Sequence, residues 1–195
     1  MLESLLVPTG IVALAEIGDK TQLLALLLAC RFRKPWPIIA GMLVATLANH
    51  FAAGAVGAFV ANLLGAATLS WILAASFAAV ALWTLIPDKI DEDEEASRLK
   101  RYGPFLTTLI AFFLAEMGDK TQVATVMLAA QYTDLTMVVI GTTLGMMLAN
   151  VPVVLAGNFA AERLPLTLIH RIAAAAFAVL ALYAGYEAMK LSGWL

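Results

Sequence analysis

Six apolar runs, at residues 5–29, 38–64, 69–86, 104–130, 137–161 and 166–189, take up most of this chain. Each is long enough to cross a hydrocarbon core of ~30 Å as a helix. Inside lipid no water reaches the backbone N–H and C=O groups, so a spanning segment must satisfy them within itself. The α-helix does so. Composition agrees: 62% of the 195 residues are hydrophobic and 13% charged, against about 45–50% and about 25% in soluble domains. The expected fold class is an all-α integral membrane protein with six transmembrane helices.

The breaks between runs carry turn and charge signals: Arg31-Phe32-Arg33-Lys34-Pro35, the stretch 88–103, Gln131 to Asp134, and Glu162-Arg163-Leu164-Pro165. The break at Leu64-Gly65-Ala66 is so short that the second and third helices are expected to form a tight hairpin. The first run is not expected to be a signal peptide, because it lacks a basic leader and carries charges in its middle. Nine Lys or Arg residues (Arg31, Arg33, Lys34, Lys89, Arg98, Lys100, Arg101, Arg163, Arg171) fall on odd-numbered connections, and only Lys190 on the opposite side. Basic loops stay cytoplasmic, so both termini are expected outside. The net charge of −2 leaves no basic footprint for nucleic acid. Cys30 is the sole cysteine, which excludes an internal disulfide, and no Cys/His cluster suggests a zinc or iron–sulfur centre.

The chain repeats itself. Ala15-Glu16-Ile17-Gly18-Asp19-Lys20-Thr21-Gln22 recurs as Ala115-Glu116-Met117-Gly118-Asp119-Lys120-Thr121-Gln122, one hundred residues on, and Leu47-Ala48-Asn49 recurs as Leu148-Ala149-Asn150. Phe77-Ala78 and Ala81-Leu82 likewise match Phe177-Ala178 and Ala181-Leu182. Each half therefore holds three helices in the same order: repeat 1 at 1–87, a charged cytoplasmic linker at 88–103, and repeat 2 at 104–195. Three is odd, so the second half must enter the membrane from the other side. The result is a pair of inverted-topology three-helix repeats, an arrangement that recurs in secondary transporters with the substrate site at the repeat interface near midplane.

Of fourteen acidic residues, ten sit in loops or near helix ends, and Glu16, Asp19, Glu116 and Asp119 sit halfway along apolar runs. A charge at bilayer centre costs at least ~2.5–3.5 kcal/mol, which marks these four as a functional site by default. Spacing of i, i+3 puts the two acids of each motif on one helix face. Lys20 and Lys120, four residues after each Glu, are placed to offset part of the charge. Four carboxylates against two lysines leave two negative charges, which a divalent cation balances.

Gly18 and Gly118 weaken the helix between the acids by about 1 kcal/mol relative to Ala. A break there frees backbone carbonyls as ligands. On an unbroken helix Thr21, Gln22, Thr121 and Gln122 point away from the acids, so their participation requires that break. Asn49 and Asn150 are mid-span amides able to complete a shell. Oxygen donors without thiolates suit hard cations such as Ca²⁺, Mg²⁺ or Mn²⁺.

Two copies of E-x-G-D-K-T in a six-helix chain of about two hundred residues resemble the calcium:proton antiporter 2 family, which includes Golgi calcium/manganese transporters and bacterial manganese exporters within the lysine-exporter superfamily. Both copies match the family pattern at every position, and short termini resemble its bacterial branch. The resemblance implies exchange of Mn²⁺, or Ca²⁺ in some members, against protons, with Glu16, Asp19, Glu116 and Asp119 at the cation site. It implies a transporter of the bacterial inner membrane, no enzyme and no prosthetic group; the cation and protons are its partners, with the lipid bilayer around it.

Blander readings stand beside these. The lysines serve charge compensation before any direct handling of substrate. His50 reads first as a polar contact between helices and second as a ligand or proton relay. His170 reads as interfacial, and the acidic run 91–95 as a solvated linker. Gly141-x-x-x-Gly145 and the Gly54/Gly57 pair read as close helix packing, and Trp36 and Trp194 as an aromatic belt. The alternative function is an exporter or channel for a small organic solute such as an amino acid. It calls for an apolar or aromatic pocket beside the charge, where this sequence supplies oxygen donors. An intramembrane aspartyl protease fits poorly, since duplicated Glu-plus-Asp sets with adjacent lysines do not make a proton-sharing pair.

Overall fold

A computed structural model describes residues 2–86, 102–156 and 166–194. Most of the linker at 88–103, with its acidic run 91–95, and the turn at 162–165 lie outside the described residues. The described chain is helical: α1 (Leu2–Glu16), α2 (Lys20–Phe32), α3 (Pro35–Leu63), α4 (Ala66–Thr84), α5 (Pro104–Glu116), α6 (Lys120–Gln131), α7 (Leu135–Ala156) and α8 (Leu166–Leu191). Local chemistry sets several boundaries. Arg33 ends α2 in the left-handed region at φ 50°. Pro35 and Pro104 open α3 and α5, where a missing N–H costs nothing and the fixed φ already suits a helix.

Four helices are long and apolar enough to cross a membrane by length and composition: α3, α4, α7, and α8 from Thr167. The first and fourth apolar runs are each divided into two half-helices of 12 to 15 residues. At ~1.5 Å per residue, no half-helix bridges a ~30 Å core alone. Side-chain burial runs opposite to that of a soluble protein. Leu43, Leu47, Phe51, Phe59, Leu148 and Leu182 face outward, while Glu16, Thr46, Asn49, Glu116, Thr121 and Asn150 are buried. Such a surface needs hydrocarbon around it. The chain is an all-helical, multi-pass membrane protein.

α4 packs along α8, α1 along α7, and α3 along both α5 and α6, while α3 also meets α7. Several contacts are reciprocal under the hundred-residue offset. A Cβ on Gly141 would lie 2.5 Å from the backbone oxygen of Leu5, and one on Gly41 would lie 2.6 Å from that of Phe105. Only glycine lets the backbones come so close. Phe77 and Phe177, both fully buried, stack with centroids 6.5 Å apart and planes 28° apart.

Two apolar clusters flank the motifs. One gathers Ile11, Ala15, Phe77, Ala124, Leu128 and Phe177; the other gathers Leu24, Leu28, Ile38, Met42, Ala111 and Phe112. Along the first run the chain passes from the former cluster to the latter, and along the fourth run it passes back. Beyond the Phe77 cluster, a cavity of about 330 Å³ opens among Glu3, Ala66, Gln131, Tyr132, Tyr183 and Glu187.

Candidate metal centre

Each motif sits on a break in its helix. α1 ends at Glu16, Gly18 turns the chain at φ 83°, and Asp19 caps α2 with extended backbone (φ −80°, ψ 168°). The second copy does the same: α5 ends at Glu116, Gly118 has φ 76°, and Asp119 caps α6 at φ −81°, ψ 165°. Left-handed backbone costs other residues roughly 1–2 kcal/mol, which explains a glycine in the middle of both motifs. The break has consequences for every neighbour. Glu16 and Asp19 do not share one helix face, as their spacing suggests; they occupy the two facing ends of the interruption. The start of α2 and of α6 carries a partial positive charge that favours a carboxylate at the cap. Asp119 Oδ1 accepts the Lys120 backbone N–H at 2.6 Å.

The glutamines hold the breaks. Gly18 N–H donates to Gln22 Oε1 at 2.9 Å, and Gly118 N–H donates to Gln122 Oε1 at 2.7 Å. Each glutamine's carbonyl thus satisfies an amide that an unbroken helix would have paired. Their amide nitrogens tie the breaks to the neighbouring long helices: Gln22 Nε2 donates to the Ala149 carbonyl at 3.0 Å, and Gln122 Nε2 to Asn49 Oδ1 at 3.4 Å. Asn49 in turn donates to the Phe113 carbonyl at 3.0 Å. Asn150 donates to the Met146 carbonyl at 3.1 Å, and its Oδ1 is buried without a hydrogen-bond partner among the described residues. Thr121 lies beside the Glu16 carboxylate. Of the six supplementary oxygen donors named from the sequence, that of Asn150 has no hydrogen-bond partner among the described residues.

The lysines cross between repeats. Lys120 Nζ lies 3.4 Å from Asp19 Oδ1, and Lys20 Nζ lies 3.7 Å from Asp119 Oδ2. Spacing along the helix suggests that each lysine serves the Glu four residues before it. The structure pairs each with the Asp of the other motif, because the helix break turns the two positions apart. The two pairs differ in exposure: the Lys120 side chain is 3% accessible and that of Lys20 is 30% accessible.

One carboxylate oxygen each from Glu16, Asp19 and Asp119 can be chosen so that all lie within 4.8 Å of one another, and all three residues are buried. Thr21 Oγ1 donates to Glu16 Oε2, while Glu16 Oε1 and Asp19 Oδ2 have no hydrogen-bond partner among the described residues. Glu116 stands outside this trio. Its Oε1 accepts from Thr46 Oγ1 at 3.0 Å, and its Oε2 faces His50 Nε2 at 3.7 Å. The Thr46 contact carries no sequence signal, being one threonine among many in apolar helices. Buried and close together, these three carboxylate oxygens could hold a hard divalent ion.

A family model described as "Divalent cation/proton antiporter GDT1" matches the chain twice, over residues 4–92 and 104–192. A Vibrio cholerae protein named "Putative manganese exporter" is 57% identical over 172 residues, 88% of this chain and 84% of its own length. A Synechocystis protein, "GDT1-like protein sll0615", is 27% identical over 79% of this chain and 82% of its own. "GDT1-like protein 3" of rice is 26% identical over 84% of this chain and 67% of its own. No solved structure matches. The two family matches take in both E-x-G-D-K-T motifs, and the chain belongs to the GDT1 family of divalent cation/proton antiporters, on its bacterial branch.

Proposed function

We propose that this protein exports a divalent cation, Mn²⁺ first and Ca²⁺ second, in exchange for protons, through a site made of Glu16, Asp19, Glu116 and Asp119. The observation that carries the proposal is the buried trio of Glu16, Asp19 and Asp119, drawn from both repeats, whose oxygens converge within 4.8 Å. Four acids and two lysines leave two negative charges, and a divalent ion neutralises them. With the ion gone, that excess charge sits where burial disfavours the ionised form, and the acids take up protons instead. Bound metal and bound protons exclude each other. A neutral site, loaded with either, reorients; an empty charged one is too costly to move through a low-dielectric interior. In a cell whose proton gradient points inward, protons enter and the cation leaves. Asn150 Oδ1 and Thr121 Oγ1 complete the shell.

The scaffold we propose is six spans in two inverted repeats, in a bacterial inner membrane, with both termini outside. Three features support it. The first and fourth runs traverse the two apolar clusters in opposite order. The Gly41–Phe105 and Gly141–Leu5 approaches are reciprocal, as a two-fold relation requires. The cavity brings together Glu3, Ala66, Gln131 and Glu187, each near a helix end that alternating spans put on one face. The manganese assignment leans on the Vibrio relative's name.

The test is cation flux in proteoliposomes with the pH gradient imposed in each direction at fixed membrane potential. Mn²⁺ movement that reverses with the gradient, and that is lost in Glu16→Gln and Asp119→Asn, is the expected result. Flux indifferent to the gradient means a channel or uniporter, and a response to an amino acid alone means another substrate.

A further inference from the structure

His50 is fully buried, and neither ring nitrogen has a hydrogen-bond partner among the described residues. Its Nε2 faces Glu116 Oε2 across 3.7 Å, beyond hydrogen-bond reach. That oxygen has no hydrogen-bond partner among the described residues; Thr46 donates to the other oxygen, Oε1, and the Asn49 amide also lies beside this carboxylate. Buried polar side chains are nearly always paired, and here an imidazole nitrogen and a carboxylate oxygen face each other with no hydrogen bond between them. At metal–ligand distances of ~2.0–2.6 Å, neighbouring donors of one ion stand about 3–4 Å apart. The gap between Nε2 and Oε2 falls in that range.

This feature belongs to one repeat only. Leu47-Ala48-Asn49 is followed by His50, and its counterpart Leu148-Ala149-Asn150 is followed by Val151. Glu16 meets a threonine hydroxyl, whereas Glu116 faces both a threonine hydroxyl and an imidazole. The four acids attract any divalent cation by charge. Oxygen alone separates such ions poorly, while an imidazole shifts the balance: Ca²⁺ and Mg²⁺ take oxygen ligands, and first-row transition ions also accept nitrogen, with an affinity that is lowest for Mn²⁺ and rises along the series.

We propose that His50 is a nitrogen donor to the transported ion, paired with Glu116, and that it sets a preference for first-row transition-metal ions such as Mn²⁺ over Ca²⁺ and Mg²⁺. This rests on the acid site proposed above. An ion passing from the trio of Glu16, Asp19 and Asp119 to Glu116 exchanges an all-oxygen shell for one holding a nitrogen. His50 is thus a specificity-determining residue, distinct from the acids that set the charge.

Two measurements test it, using the full chain. In proteoliposomes, His50→Gln keeps bulk and polarity but removes the imidazole. Half-saturating Mn²⁺ should rise about 10-fold relative to the wild type with Ca²⁺ little changed, and Co²⁺ and Zn²⁺, which bind nitrogen more tightly than Mn²⁺, should weaken further. Independently, electron spin-echo modulation of Mn²⁺ bound to detergent-purified wild-type protein should show a directly coordinated ¹⁴N, absent in His50→Asn. The spectrum stands even where a variant fails to insert. Bound Mn²⁺ without nitrogen modulation, or a Mn²⁺/Ca²⁺ ratio unchanged by His50→Gln, overturns the role of His50 and leaves the acid site intact. Wild-type protein that binds no divalent cation overturns both.

Discussion

Replacing Lys120 by Met removes the buried member of the crossed ion pairs and takes away the ammonium 3.4 Å from Asp19. Both side chains are at most 3% accessible, so water cannot take the lysine's place. Breaking a buried pair by removing one partner costs about 3–5 kcal/mol. In a chain of this size each kcal/mol is worth ~2–4 °C in Tm, which gives a fall of about 6–20 °C. Lys20→Met should cost less, because the Lys20 side chain is 30% accessible although its partner Asp119 is 2% accessible. Asp119 also keeps its hydrogen bond from the Lys120 backbone. The assay is thermal unfolding in detergent of both single variants and two doubles. Adding Asp19→Asn to Lys120→Met should recover most of the loss, since it removes the orphaned charge. Adding Glu116→Gln should not. Recovery by Glu116→Gln alone would place Lys120 beside the acid of its own motif and refute the crossed pairing.

Other consequences are open to measurement. Gly41→Ala and Gly141→Ala each drive a methyl against a backbone oxygen, and should lower thermal stability by about 1–3 kcal/mol; Gly10→Ala, with nothing within 4 Å of its added Cβ, should be neutral or mildly stabilising in the same assay. Gln22→Leu or Gln122→Leu leaves the Gly18 or Gly118 amide unpaired, at a cost of about 1–3 kcal/mol, and should slow transport in vesicles; unchanged stability and flux would deny the glutamines their role at the breaks. In a Cys30→Ser background, cysteines at Ser97 and Ser192 should react with impermeant reagent from opposite faces of the membrane, and labelling of both from one side would sink the inverted arrangement.

The sequence by itself determined the membrane class, the recurrence of the motif and which acids lie midway along apolar runs. Run length and hydropathy decide the first, because lipid leaves a backbone few ways to satisfy itself. A repeated octapeptide decides the second, and charge halfway along an apolar run decides the third. What the sequence left open is who meets whom. Along a regular helix Lys20 and Lys120 lie beside the Glu four residues before them, and the left-handed turns at Gly18 and Gly118 direct each lysine away from it. Once the helices break, Lys20 and Lys120 reach the opposite motif, Gln22 and Gln122 become caps for the freed amides, and Glu116 leaves the trio for Thr46 and His50. None of these partners lies at a helical spacing from the residue it serves, except the glutamines, four positions on from their glycines. Contacts between α3 and α5, or between the two broken runs, depend on how separate helices pack. Packing is fixed by close backbone approach at Gly41 and Gly141 and by the stacked Phe77 and Phe177. Periodicity reports which face of a helix is polar, and tertiary structure alone decides what that face touches.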